Sequence, residues 1–435
     1  MAAVVAAGMG IRSVLTTLAL AAGLLAATGP AGSPPPAAAA DEPQDCFWTS
    51  VFDEENGNLF YPDTGVNYYL GRVALPPGGE LVVRGRYPHA RYSSFNAYNE
   101  QFQPIDALAD VDIEPEAGST NPFRVGSRRD RPLRDYTVRV VADPAPADPA
   151  DREPNTVHLG DDGQPRLSGS LVYRVYLPDR GRDQFGGVDL PEVALRLPDG
   201  SEVEQPAACT LQTQQPSTGV TRTDRRSGGP TVPNYTTARP RPHWERFFNV
   251  PRTMLNQFSP TLADAYGAES RGGFFSDGNN AYVYTFMARE HGPVLVLRGR
   301  LPRVPATYDG EPVMEAGQVR YWSLCSVSMQ PYGVTDTIGC VNDSGVAVDD
   351  RGWFTVVVST PHDRPANARR ECGLTWLPFG ARPTAALVMR NQLADPDFAH
   401  AVQRVRTPGT EREVMGEHLP RGRYLTTREA ERLGC

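Results

Sequence analysis

The stretch YYLGRVALPPGGELVVRGRYP at residues 68–88 lies without a gap over YVYTFMAREHGPVLVLRGRLP at 282–302, an offset of 214 positions. Three more matches follow in the same order: RYSS (91–94) with RYWS (320–323), YTVRVV (136–141) with FTVVVS (354–359), and SLVYRVYLPD (170–179) with ALVMRNQLAD (386–395). Four matches in one order predict two copies of one domain in tandem. The apolar pattern within each copy has the period of a strand. Leu81, Val83, Gly85 and Tyr87 alternate with Val82, Arg84 and Arg86; Leu295, Leu297, Gly299 and Leu301 alternate with Val296, Arg298 and Arg300. Asp161-Asp162-Gly163 and Asp350-Arg351-Gly352 read as turns between extended segments. Many short strands with Gly and Pro between them predict an all-β chain: two tandem jelly-roll-like β-sandwich domains with a few short helices.

The expected boundaries follow from composition. Residues 1–40 read as a signal peptide, with Arg12 the only charge, an apolar run over 14–27, then small residues to a cleavage site near Ala40. The alternative is an uncleaved anchor, although the run falls short of the ~20 apolar residues of a membrane span. The first sandwich is expected over 41–210, a Gln/Ser/Thr/Gly/Pro/Arg-rich linker over 211–242, the second sandwich over 243–405 and a tail over 406–435. The Pro/Asp/Ala-rich stretch 142–154 reads as a surface loop. Helices are expected over 395–405, in two short pieces over 254–266, and after the capping pattern Thr426-Thr427 with Glu429.

The chain has no lysine, 41 Pro and 41 Gly, and a net charge of −8. That bias suits a GC-rich genome. A mildly acidic exported protein is a poor partner for nucleic acid or an anionic membrane surface. Six cysteines suit an oxidising compartment. Cys46 and Cys209 flank the first copy and are expected to clasp it. Cys325 and Cys340 flank Pro331-Tyr332-Gly333 as opposed hairpin residues would, which leaves Cys372 for Cys435, the weaker pair of assignments among three possible pairings. Metal ligation by these thiolates is the alternative, but no C-x-x-C spacing or histidine pair supports it.

No familiar catalytic or metal-binding signature occurs, no two of the seven histidines stand at ligand spacing, and no cofactor or metal is expected. The densest polar and aromatic stretch is 88–115. His89, Arg91, Tyr92, Asn96 and Tyr98 fall there and are the candidate ligand-binding residues, with rings to stack on a sugar and short polar groups for its hydroxyls. The structural alternative is a sandwich strand with core aromatics on one face. The matched arginines Arg84/Arg298, Arg86/Arg300, Arg91/Arg320 and Arg174/Arg390 recur in both copies, which favours a structural role, with Asp63 and Asp277 the one repeated acid for them. Arg86 and Arg300 are accordingly expected to be buried, each bonded within its own domain.

RYWS at 320–323, DDRGWFTV at 349–356, WLPFG at 376–380 and LVMR at 387–390 resemble the motifs of an exported bacterial family of unknown function, whose members carry jelly-roll domains, often in tandem. The resemblance covers most of the second copy and more weakly the first, where Ser93 replaces the Trp and no W-L-P-x-G occurs. It implies a fold and export, and no activity. The expectation for function is a secreted binding protein for a carbohydrate or other cell-envelope component. An extracellular hydrolase, with a site between the two domains built on His89 or His291, is the alternative, and a structural surface protein the third reading.

Overall fold

The computed structural model describes residues 47–52, 62–204, 237–269, 277–329 and 335–435. The leader, Cys46, Cys209, most of the linker and the turn at 331–333 lie outside the described residues, and with them the expected clasp. The first half supplies β1 (Trp48–Phe52), β2 (Val66–Ala74), β3 (Glu80–Arg86), β4 (Ala90–Tyr98), β5 (Pro104–Ala109), β6 (Asp135–Pro144), β7 (Thr156–Gly160), β8 (Ser168–Pro178), β9 (Glu192–Arg196) and β10 (Glu202–Val203). The second supplies β11 (Glu245–Arg246), β12 (Asn280–Ala288), β13 (Val294–Arg300), β14 (Val319–Met329), β15 (Thr335–Asn342), β16 (Trp353–Ser359), β17 (Thr375–Pro378), β18 (Thr384–Ala394) and β19 (Arg421–Leu425). Short helices are α1 (Val250–Asn256), α2 (Pro260–Tyr266), α3 (Glu411–Met415) and α4 (Thr427–Ala430). The fold is mostly β, as the alternation predicts.

Four sheets result: β1-β2-β8-β4-β5, β10-β9-β3-β6-β7, β11-β12-β18-β14-β15 and β17-β16-β13-β19. Strand for strand, β2-β8-β4-β5 has the order of β12-β18-β14-β15, and β9-β3-β6-β7 that of β19-β13-β16-β17. Each outer sheet also carries one parallel pair at the same place, β6 with β7 and β16 with β17.

The repeated Arg-Gly-Arg has a packing cause. Gly85 stands opposite Tyr136, and Gly299 opposite Phe354. A Cβ on Gly85 would lie 2.5 Å from the Tyr136 ring, and one on Gly299 2.8 Å from the Phe354 ring. In both places the missing side chain lets a core aromatic fold across the strand, as edge glycines accept an aromatic neighbour. The cores lie beneath these pairs. Leu81, Val83, Phe95, Val138 and Tyr173 fill the first, and Leu295, Leu297, Trp322, Phe354 and Met389 the second.

Strands β4 and β8 are buried on both faces, and so are β14 and most of β18. One face of each meets its own core. The other face meets the opposite sandwich, because residues 45–435 form one compact unit. At this seam the copies exchange charges reciprocally. Asp63, just before β2, accepts from Tyr321 (2.9 Å), Arg390 (3.0 Å) and Ser323 of the second sandwich. Asp277, just before β12, accepts from Tyr92 and Ser94 of the first (3.3 Å each) and pairs with Arg174 at 3.6 Å. Arg91 pairs with Asp343, and Arg320 with Asp110 at 3.3 Å. Asp343 and Asp110 in turn accept from the backbone N–H groups of Trp322 and Ser93, which match in the alignment. Each half therefore completes the other, in the manner of the self-complementary contact of a two-fold dimer.

The seam corrects the arginine expectation. Arg86 and Arg300 face solvent with side chains 53% and 51% exposed, because they occupy the outward positions of β3 and β13. The buried members are Arg91, Arg174, Arg320 and Arg390, and their carboxylates come from the other sandwich.

Several local readings are answered as well. Cys325 and Cys340 are bonded as opposed residues of β14 and β15, and Cys372 is bonded to Cys435. The two short helices expected over 254–266 are α1 and α2, interrupted before Pro260. The capping box of Thr426 and Glu429 starts α4. Residues 395–405 do not form an α-helix. Bonds from Phe398 to Asp395, Ala401 to Phe398 and Arg404 to Ala401 each span three residues, so the segment is a chain of tight turns that still buries Phe398, Ala401, Val402 and Val405. Strand β6 runs into the stretch expected as loop, to Pro144. The segment after Val405 is more than a tail, since β19 pairs with β13.

Removing one partner of a buried, hydrogen-bonded pair strands the other charge, at a cost of about 3–5 kcal/mol, whereas exposed pairs are worth about 0–1 kcal/mol. Denaturant unfolding should therefore show Arg390→Ala and Arg174→Ala losing several kcal/mol, and Arg86→Ala and Arg300→Ala close to the native chain.

Candidate functional site

The five residues expected to bind ligand divide into two groups. Arg91, Tyr92, Asn96 and Tyr98 are fully buried in the seam. Arg91 donates to Thr307, Asp343 and Ser344; Tyr92 to Asp277; Asn96 to Ser94; and Tyr98 accepts from Arg174. Their rings have no open face for a sugar in this conformation. His89 stands apart, half-buried against Arg134. Burial, then Arg134 and three further arginines, push its pKa down to about 4. No carboxylate pairs with it among the described residues. His291 is held by the carbonyl of Ala238 at 3.2 Å and the ring of Tyr424.

A different feature stands open to solvent. On the outer sheet of the second sandwich a groove of about 880 Å³ is lined by Arg241, Arg298, Arg412, Arg421 and Arg423, over a floor that includes Val296, Leu374 and Leu433. Strand β19 places two of these cations by its period of two: Arg421 and Arg423 point outward, and Gly422 inward. A Cβ on Gly422 would lie 2.7 Å from both Leu297 and Pro242, so only glycine lets the strand seat here. The C-terminus forms one wall. Gly434 lies so close to the Cys372 carbonyl that a Cβ would stand 2.2 Å from it, and the Cys372–Cys435 bond fastens that contact.

The cross-strand pairing makes the groove unusual. Arg298 of β13 stands directly opposite Arg421, and Val296 opposite Arg423. Like charges in direct register destabilise a sheet. The first sandwich shows the ordinary solution at the same place, where Arg84 stands opposite Glu192 and Glu80 opposite Arg196. There Arg84 and Arg196 both reach Glu202, and Glu80 takes Arg139 and Arg196. In the groove, Arg298 has Asp349 at 3.0 Å and lies over the Trp353 ring. Arg412 gives its protons to the carbonyls of Gly416, Leu419 and Pro420, and burial followed by repulsion from Arg421 pushes its pKa down. Arg241, Arg421 and Arg423 are exposed and have no acceptor among the described residues. Chemically, the groove is a preformed seat for negative charge.

Reading residues 406–435 as a tail hid this site. The signal that could have found it is the Arg-Gly-Arg at 421–423, which repeats the strand tripeptides at 84–86 and 298–300; a further copy, at 180–182, lies in a turn.

One buried acid outside the seam lines a smaller pocket. Glu245 on β11 is pushed up by burial, but Arg252 (2.6 and 2.9 Å), Asn256 and Tyr284 occupy its oxygens. It ties α1 to the sheet and has no oxygen free for acid–base work. The cluster of Asp63 with Cys325 and Cys340 offers no thiolates, since both sulfurs are in a disulfide.

No family model matches the chain, and no curated protein matches it. Among solved structures it is similar to an uncharacterised protein from Burkholderia cenocepacia, at 16% identity over 88% of this chain and 83% of that one, with a TM-score of 0.45. It is also similar to the VPA0106 protein from Vibrio parahaemolyticus, at 11% identity over 81% of this chain and 90% of that one, with a TM-score of 0.37. Likenesses of that size carry no argument about fold or activity.

The low pKa of His89 has a consequence for stability. In the unfolded chain the imidazole protonates near its ordinary 6.5, and in the folded chain only near 4. The neutral ring thus contributes stability above pH 6.5 that is lost as pH falls toward 4. Thermal melts across that window should show His89→Gln losing less of its melting temperature than the native chain, by roughly a few degrees.

Proposed function

We propose that this protein is an exported binding protein built from two copies of one jelly-roll-like domain, and that its arginine groove takes an acidic glycan of the cell envelope. The observation that carries the reading is Arg421 facing Arg298 across β19 and β13, where the first sandwich sets Glu192 against Arg84. A repulsion held in register beside unpaired Arg241 and Arg423 costs stability, and an anionic ligand relieves it. The groove's volume and its five lining arginines suit a segment that carries several negative charges. Export is supported by the leader pattern and by two disulfides. No helix among the described residues is long and apolar enough to cross a membrane. Duplication is supported by the common strand order and the reciprocal seam.

The hydrolase alternative gains no particular support. The sandwiches meet through filled side-chain contacts, His89 has no carboxylate partner among the described residues, and the Nε2 of His291 that faces exposed Glu290 at 3.8 Å is already shared with the Ala238 carbonyl.

Calorimetry of the mature chain with polygalacturonate, and with neutral dextran as control, tests the reading. Binding is expected for the acidic polymer only, weakening as salt rises from about 50 to 200 mM because exposed charges are screened. The double variant Arg421→Ala/Arg423→Ala should bind at least tenfold more weakly while its melting temperature stays level or rises, since a like-charge pair is worth about 0.2–1 kcal/mol. Equal binding of dextran, or full binding by the double variant, overturns the proposal.

A further inference from the structure

His400 and His418 are 18 positions apart in sequence and come together in the turns that precede β19. Their ring centroids are 5.9 Å apart with planes 31° from parallel, and Phe398 packs edge-on against both. His400 Nδ1 lies 2.7 Å from the Val414 carbonyl, and His418 Nδ1 lies 2.9 Å from the Arg300 carbonyl. A carbonyl oxygen only accepts, so each Nδ1 carries the proton and each Nε2 is left with its lone pair. This is the arrangement that orients a metal-binding imidazole: one nitrogen anchored to a carbonyl, the other free. Neither Nε2 has a partner among the described residues.

We propose that His400 and His418 form an open two-histidine site for a divalent transition-metal ion of the zinc or copper class. Imidazole nitrogen suits these ions and not magnesium or calcium, which take oxygen ligands. A metal–nitrogen bond of ~2.0–2.1 Å, plus roughly 1.2 Å from nitrogen to ring centre, puts two imidazoles on one tetrahedral ion at ~5 Å between centres. The observed 5.9 Å closes to that distance by a modest side-chain rotation. His400 is exposed and free to make it, whereas His418 is half-buried and fixed. Water completes the coordination on the open side. The segment at the same place in the first half, 179–191 between β8 and β9, contains no histidine.

The test is a titration of the metal-free, full-length mature chain with zinc chloride by calorimetry, repeated with copper(II). One equivalent is expected to bind. His400→Gln and His418→Gln should each weaken it at least tenfold, while His362→Gln, distant in sequence, leaves it unchanged. His400 is exposed, so its variant keeps the native melting temperature and the loss cannot be assigned to unfolding. Lowering the pH below the ordinary histidine range should abolish binding, because both nitrogens would then be protonated. Native-like binding by His400→Gln, or no saturation by about 1 mM zinc, overturns the proposal.

Discussion

The structure depends on four buried carboxylates answered from the opposite half of the chain. Asp63, Asp110, Asp277 and Asp343 are almost fully removed from solvent, and each meets an arginine of the other sandwich. Burying a charge is costly unless its partner and its remaining hydrogen bonds are supplied together. Here they are: Tyr321 and Ser323 join Arg390 on Asp63, and Tyr92, Ser94 and Gln392 join Arg174 on Asp277. With the seam closed, removal of any one of these eight charged groups would strand its partner away from water. The seam is thus selective as well as adhesive, because each carboxylate is matched to a particular arginine of the other half.

The copies agree where they face each other and differ where they face solvent. At the seam, Tyr68 and Tyr282 lie against matched arginines Arg174 and Arg390, and beneath the outer sheets Gly85 and Gly299 accept matched aromatics. On the outer sheets the correspondence ends. Arg84 is answered by glutamates in the first copy, while its counterpart Arg298 meets a second arginine in β19. The residues that close the interface match between the halves, whereas the partners supplied by the outer strands differ.

The same logic explains what could be read from residues alone. The strand period over 80–86 and 294–300, the turn formers and the capping box at Thr426 are local, and they are legible. The structural role of the matched Arg91, Arg174, Arg320 and Arg390 is also legible, because a residue that recurs in both halves serves what both share. Which arginines are buried is not, since Arg86 and Arg91 differ only in which face of which strand they occupy, and the carboxylates that meet the buried four come from more than a hundred residues away. The aromatics and amides of 88–98 misled for a related reason. A strand buried on both faces in a polar seam carries the residues of a sugar-binding strip.

Glycine connects these observations. Gly85, Gly299 and Gly422 each stand between two arginines, and each is held to that identity by a neighbour that leaves no room for a Cβ. On a strand, the residues flanking such a glycine point the opposite way, toward solvent. An Arg-Gly-Arg tripeptide therefore couples an inward packing requirement to an outward pair of cations. Where the adjacent strand brings glutamate, the pair becomes part of an ordinary charged surface. Where it brings another Arg-Gly-Arg, as β19 does beside β13, the same packing device builds a row of like charges in which Arg298 alone is paired, with Asp349, among the described residues. The groove is then a property of strand pairing: β19 must keep its register on β13 for the cations to converge, and Gly422 against Leu297 sets that register.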